Sequence, residues 1–243
     1  MSTLRGYRLL ALWHIEQIST MMIVIVPVQF VLSGLLAIGL GFMVPEIDPT
    51  TAQYLSTGAP TLAILLIGVV ALPQQLSQAK DTGAADFYRT LPVPAPAQIA
   101  AQLTPHLITA VPGAVLALVV AARRFDFSLD PSPLAIVALA AVALSGSAIG
   151  VVMSAISPST FVLELMTNVA LFFVMLFSPI NFPVERLPSW LQSVHDVLPF
   201  EPMAGLVRAT VTGGATSGAD WARVLVWAVA SFAISSVLAA RRT

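Results

Sequence analysis

The sequence predicts an all-α protein that lives in a membrane. It reads as a polytopic chain with six transmembrane helices and an N-terminal amphipathic helix in the interface. A short cytoplasmic helix falls between spans 2 and 3, and an outer re-entrant helical hairpin between spans 5 and 6. Three observations carry this. Of 243 residues, 57% are hydrophobic and only 9% charged, against about 25% charged in an ordinary soluble domain. The charges are separated by long uncharged windows, and a spanning helix needs roughly 20 apolar residues. The two segments that break this rhythm are too short to span and are punctuated by proline.

The windows run from Glu16 to Glu46, Asp48 to Lys80, Arg89 to Arg123, Asp130 to Glu164, Glu164 to Glu185, and Arg223 to Arg241. Their apolar parts place spans at 21–44, 58–78, 98–122, 134–156, 161–182 and 222–240. Pro73, Pro105 and Pro112 fall in or beside spans 2 and 3, where neighbouring helices can serve the freed carbonyls and kinks are expected. With the N-terminus inside, Arg5, Arg8, Lys80, Arg89, Arg241 and Arg242 are cytoplasmic, against Arg123, Arg124, Arg186, Arg208 and Arg223 outside. The bias is small and favours cytoplasmic N- and C-termini. Arg123 and Arg124 read as an interfacial anchor paired with Asp126 and Asp130.

The start does not read as a cleaved signal, because the apolar stretch after Arg8 is too long for one. Residues 4–17 instead place Leu4, Tyr7, Leu10, Ala11 and Ile15, with Ile18 beyond, at helical spacing around Arg5, Arg8 and Glu16. That pattern suits an amphipathic helix in the cytoplasmic interface, or an extension of the first span. No internal repeat or low-complexity segment is visible, and residues 1–243 read as one transmembrane domain.

Segment 80–92 holds the only lysine, with Asp81, Asp86 and Arg89 among otherwise neutral surroundings. Asp81 or Thr82 is expected to cap a short helix, and Pro92, Pro94 and Pro96 keep it from running into span 3. Phe87, Tyr88 and Leu91 would offer apolar knobs for another protein; an ordinary loop with its aromatics at headgroup level is the plainer reading. Segment 183–214 divides into two amphipathic pieces. Leu187, Trp190, Leu191, Val194, Val197 and Leu198 form one apolar face, with His195 off it, and Pro199 ends that piece. Met203, Leu206, Val207 and Val211 form the second face, with Arg208 off it, and Gly213-Gly214 closes it. A re-entrant hairpin or a surface lid fits both pieces.

Few polar residues fall inside the spans. His106, Gln29, Asn168 and Asn181 either line a pathway or bond neighbouring helices together. Glu164 opens span 5 near the cytoplasmic face, solvated, paired or gating. Gly146 to Gly150 is a small-xxx-small face where helices pack.

Gly83, Asp86, Tyr88 and Pro92 match the spacing of a cytoplasmic motif in ABC-2 type permeases, with Asp86 and Tyr88 where Glu and Leu are commoner. The stretch Phe177-Ser178-Pro179-Ile180-Asn181-Phe182-Pro183, then Leu187-Pro188-Ser189-Trp190-Leu191, Leu198-Pro199 and Leu206-Val207-Arg208, resembles that family's C-terminal signature. The resemblance implies a permease subunit of an ATP-driven bacterial exporter in the cytoplasmic membrane. Its coupling helix would include Asp81, Gly83, Asp86, Phe87, Tyr88, Arg89 and Leu91 and seat in a nucleotide-binding ATPase subunit. Trp190, Leu191, Leu198, Pro199 and Arg208 would belong to the outer gate. The partners implied are the ATPase, a second permease chain (a copy or a paralogue) and the bilayer. Mg-ATP would bind the ATPase, with no cofactor or metal on this chain.

The residues add exclusions of their own. A phosphate-binding loop needs Gly-Lys-Ser/Thr, and Lys80 stands between Ala79 and Asp81, so the chain is not expected to be an enzyme. A net charge of −1 argues against nucleic acid. The absence of cysteine excludes disulfides and thiol chemistry. Acidic groups near the midplane, which an ion-coupled carrier would want, are missing. A non-ATP-coupled carrier or a structural membrane subunit is the alternative. Apolar walls favour a hydrophobic or amphipathic cargo such as a drug or lipid.

Overall fold

The computed structural model describes residues 3–17, 19, 31, 35, 39, 42 and 48–240, the Arg89 side chain excepted. The expected first span at 21–44, with Gln29, lies almost wholly outside the described residues, as do Ile18, Arg241 and Arg242. Residues 3–17 are helical and are called α1. They are followed by α2 (Pro49–Asp81), α3 (Ala84–Thr90), α4 (Ala95–Arg124), α5 (Leu134–Ile156), α6 (Thr160–Phe177), α7 (Ser189–His195), α8 (Phe200–Val211) and α9 (Gly218–Ala240). Among the described residues there is no strand, only an isolated bridge between Asp130 and Thr212. Among the described residues five helices, α2, α4, α5, α6 and α9, are long and apolar enough to cross a membrane.

Several bounds differ from the sequence reading, each for a local reason. The span expected at 58–78 starts at Pro49, because the Asp48 carboxylate accepts from the Thr51 N–H (2.8 Å) and proline suits a first helical position. It continues through Asp81, so Lys80 and Asp81 belong to α2 and not to a separate cytoplasmic piece. Spans 98–122 and 222–240 lengthen to Ala95–Arg124 and Gly218–Ala240, and 134–156 is found as expected. The span expected at 161–182 stops at Phe177. Ser178 is extended, as a residue before proline prefers, and Pro179 lacks the N–H that would continue the ladder.

Within α2 the turn Leu66–Ala71 is a π-helix. Pro73 follows it and cannot donate to the Val69 carbonyl, and a widened turn is one way a helix absorbs that loss. The same turn carries Gly68 against α5. A Cβ on Gly68 would stand 2.6 Å from the Ser147 nitrogen, and one on Gly150 would collide with the Gly68 carbonyl oxygen. The small-residue face around Gly146 therefore packs where the sequence suggested, with Gly68 as its partner. In α4, Thr109 donates to the carbonyls of Pro105 (3.1 Å) and His106 (3.2 Å).

The core joins α2, α4, α5 and α8 through Leu62, Leu65, Leu118, Leu139, Val142, Met203 and Leu206. Helix α9 packs chiefly on α5. By contrast, only 17% of the apolar window of α6 and 22% of that of α9 lie buried within the chain, against 72% for α2. Exposed Phe161, Leu165, Val169, Phe172 and Leu176 run along α6.

Replacing Gly150 with leucine forces side-chain atoms into backbone, where overpacking typically costs about 1–3 kcal/mol. Gly150→Leu is expected to lower the melting temperature of the detergent-solubilised chain. Gly218→Ala, where a Cβ meets open space, is expected to leave it unchanged. Equal melting temperatures for both variants would refute the close α2–α5 approach.

Candidate functional site

The singled-out residues gather at the two ends of the bundle. At the first end, α3 hangs between the C-terminus of α2 and the N-terminus of α4. The helix is not capped by Asp81 or Thr82. Its N-cap is Gly83 in the left-handed region (φ 77°), which glycine enters without a Cβ penalty. The Thr82 hydroxyl bonds back to the Gln78 carbonyl (2.9 Å), and the Asp81 carboxylate accepts from the Thr160 hydroxyl (2.6 Å). Thr160 also pairs with Ser77 (3.0 Å), and the Lys80 ammonium donates to the Ser154 carbonyl. These bonds fasten the end of α2 to α5 and α6. Helix α3 stops at Thr90, as the prolines after it require, though Pro96 itself fits within the first turn of α4.

The three expected knobs divide. Phe87 stands 58% exposed, beside exposed Asp86. Tyr88 and Leu91 turn inward and pack with Tyr7, Val93 and buried Leu10, Ala11 and Ala101. Tyr88 also meets the His14 ring (centroids 5.3 Å). The reason lies in α1, whose protein-facing side is Gly6, Tyr7, Leu10 and Ala11, with the Tyr7 hydroxyl against that of Thr104 (2.9 Å). A Cβ on Gly6 would meet Val93 at 2.8 Å. Leu4, expected on this face, is exposed with Leu9, Leu12 and Trp13. Helix α1 thus has one apolar side for protein and another left open. Burial holds the His14 imidazole below its ordinary pKa.

At the opposite end, α8 packs on the first part of α2 and α7 on the end of α6. Helix α7 has only seven residues, ending at His195, so Val197 and Leu198 fall beyond it. Its burial reverses part of the sequence reading. His195, expected off the apolar face, is fully buried; Nε2 donates to the Phe177 carbonyl (2.9 Å) and the ring stacks on Phe173 (5.8 Å). Burial lowers its pKa, consistent with a neutral ring donating one bond. Trp190, Val194 and Val197 are exposed instead, while Leu191 is buried, Pro199 is buried and Leu198 is half-buried. The indole of Trp227 on α9 donates to the Val197 carbonyl (2.9 Å).

Arg208 is the centre of this end. Its guanidinium lies 3.7 Å from the centroid of the Tyr54 ring, Nε donates to the Thr57 hydroxyl (3.2 Å), and Nη2 donates to the Ile180 carbonyl (2.9 Å). One side chain therefore joins α8, α2 and the turn after α6. Burial lowers its pKa, but an arginine stays protonated at any working pH. The sequence reading named Arg208 without Tyr54 or Thr57. Neither gave a signal of its own, since an aromatic and a threonine in an apolar helix look like core. Beside them Gly58 admits Asn181, whose side-chain oxygen is buried with no hydrogen-bond partner.

The remaining candidates are separate. His106 is buried in α4 near α1, whereas Asn168 and Glu164 lie on the exposed side of α6. Among the described residues no group of three or more His, Cys, Asp or Glu side chains could hold a metal.

The model of the family described as ABC-2 type transporter matches residues 3–211, from the start of α1 to the end of α8. The chain belongs to the ABC-2 type transporter family, and with several long apolar helices it is a multi-pass membrane protein and a transport permease. No curated protein matches the chain at a significant level.

Desolvated cation–π contacts contribute about 2 kcal/mol, and hydrogen bonds from a charged donor about 1.5–3 kcal/mol. Arg208→Ala is therefore expected to lower the melting temperature sharply, and Arg208→Lys to recover little, because an ammonium cannot stack and fork together. In a cycle with Tyr54→Leu, the two losses should be less than additive. Strict additivity would mean the ring contact contributes nothing.

Proposed function

We propose that this ABC-2 family chain is the permease subunit of an ATP-driven exporter in a bacterial cytoplasmic membrane. In this reading it crosses the membrane six times, with 21–44 as the first span and both termini in the cytoplasm. The whole chain is one transmembrane domain. Helix α3 is the coupling helix, received by a separate nucleotide-binding ATPase that holds Mg-ATP. The pair α7–α8 is the outer hairpin, and the cargo is a hydrophobic or amphipathic molecule.

The observation that carries the coupling assignment is the setting of α3. It is a short helix fixed on its inner side by Tyr88 and Leu91 and open on its outer side at Asp86 and Phe87. A helix so held passes displacement to the bundle instead of flexing alone. An exposed aromatic flanked by charge is also what a protein pocket recognises well. Gly83 serves the same surface as its turn, and Arg89 adds a charge to the segment, while Asp81 acts through Thr160 behind it.

A second permease chain is supported by α6. Asn168 lies outward on a helix that is almost unburied. An amide facing lipid is costly, so a protein neighbour along α6 is favoured over acyl chains. Transport then follows alternating access. ATP closes the ATPase pair, the coupling helices move, and the two permeases rock to expose cargo outward. Differential affinity for the inward and outward states supplies the direction.

Mild-detergent purification of the chain from its host, followed by mass spectrometry, tests this. A chain bearing a phosphate-binding loop is expected to co-purify. Asp86→Ala with Phe87→Ala should release it and abolish transport, leaving membrane insertion intact. Recovery of the permease alone, or unchanged capture by the double variant, would overturn ATP coupling through α3.

A further inference from the structure

Behind α3 the chain holds two adjoining cavities. The larger is about 530 Å³. Its walls are mainly apolar, including Leu76, Ile99, Val151 and Leu238, with Gln98 and Lys80 among them. The smaller, about 130 Å³, is lined by His14, Gln17, Gln75 and His106. Tyr88 and Gln102 line both. Sites for small molecules are commonly about 300–1,000 Å³, apolar overall, with a few polar groups that fix orientation. The larger cavity meets that description, and the smaller gathers polar groups at its flank.

The chemistry of the walls is selective. Amides, imidazoles and a phenol offer both donors and acceptors. Burial lowers the pKa of His14 and so favours its neutral form. Among the described residues, Lys80 brings a charged side chain to the wall of the larger cavity, and its ammonium donates to the Ser154 carbonyl. In a partly desolvated cavity a fixed cation disfavours a second cation and tolerates an anion or a neutral group.

We infer that these cavities form a binding site, within a single chain, for a neutral or anionic amphiphile. Its apolar body fills the larger cavity, and its hydrogen-bonding head turns toward Gln102 and Tyr88. Because Tyr88 is a residue of α3, an occupant of the cavity touches the helix assigned to ATPase coupling. The meaning of that contact for transport rests on the permease reading, whereas the binding does not.

The test uses the full chain in phosphatidylcholine nanodiscs with three photoreactive probes of equal chain length: diazirine analogues of dodecanol, dodecanoic acid and dodecylamine. Labelled positions are mapped by mass spectrometry. The alcohol and acid are expected to label the walls around Leu76, Ile99 and Val151 at least about fivefold more than the amine, a difference of about 1 kcal/mol in binding. All three probes should label exposed α6 alike. Val151→Trp, which fills the larger cavity, and Gln102→Leu, which removes the shared polar wall, should each reduce wall labelling to the level on α6. Equal wall labelling by the amine in the unaltered chain would overturn the inference even if a variant failed to fold. So would wall labelling that survives both substitutions in folded protein. The nanodiscs contain no ATPase, so such a failure leaves the exporter reading untouched, and loss of ATPase capture leaves this site untouched.

Discussion

The arrangement depends on the close approach of α2 and α5 at Gly68 and Gly150. In a membrane, apolar side chains gain little by leaving lipid for protein, so helix association relies on tight packing and hydrogen bonds. Here the contact is between backbones, with no room for a Cβ on either glycine. It coincides with the π turn that precedes Pro73. The middle of the longest described helix is thereby fixed, and both of its ends are defined relative to that point. One end reaches Arg208, the other Lys80 and Asp81.

Both ends are held by polar contacts of different character. Arg208 is a single donor-rich group serving a ring, a hydroxyl and a carbonyl on three segments. Lys80 and Asp81 instead divide the task between α5 and α6, each through one partner named here. An arginine at a crossing of three elements is hard to replace, because its fork matches partners that a point charge cannot. The α8 end is thus organised around one side chain, and the α3 end around several weaker bonds plus the apolar packing of Tyr88.

Much of the fold was legible because it follows from composition. Charge-free windows identified the described spans, since lipid leaves few alternatives to an apolar helix. Their ends were less legible. Asp48 and Pro49 start α2 well before the apolar run, and Pro179 stops α6 inside one. Side-chain direction in the short helices was the least legible. A periodic pattern says that one face is apolar, but not whether that face meets protein or lipid. In α1 and α7, Leu4, Trp190 and Val194 turn outward while His195 turns in, with Nε2 bonded to the Phe177 carbonyl. Of the site residues, Arg208 was visible as a lone charge, whereas Tyr54 and Thr57 resembled core.

On the permease reading, this layout says where force entering at α3 would go. The joint between α2 and α3 is two residues long and turns at Gly83, so it transmits position poorly by itself. The stiffer route is sideways, through Tyr88 and Leu91 into α1, Val93 and the early turns of α4 at Ala101. Helix α4 then packs mainly along the Pro49–Leu65 half of α2. At its far end Ala121 and Phe125 pack with Ala52, Leu55 and Ala59 of α2, beside Tyr54 and Thr57, to which Arg208 is bound. A continuous packed path therefore joins α3 to the Arg208 contacts without passing through the π turn. Packing alone does not establish coupling. It does fix which elements must shift together if the two ends are to alternate, and α4 is the element common to both.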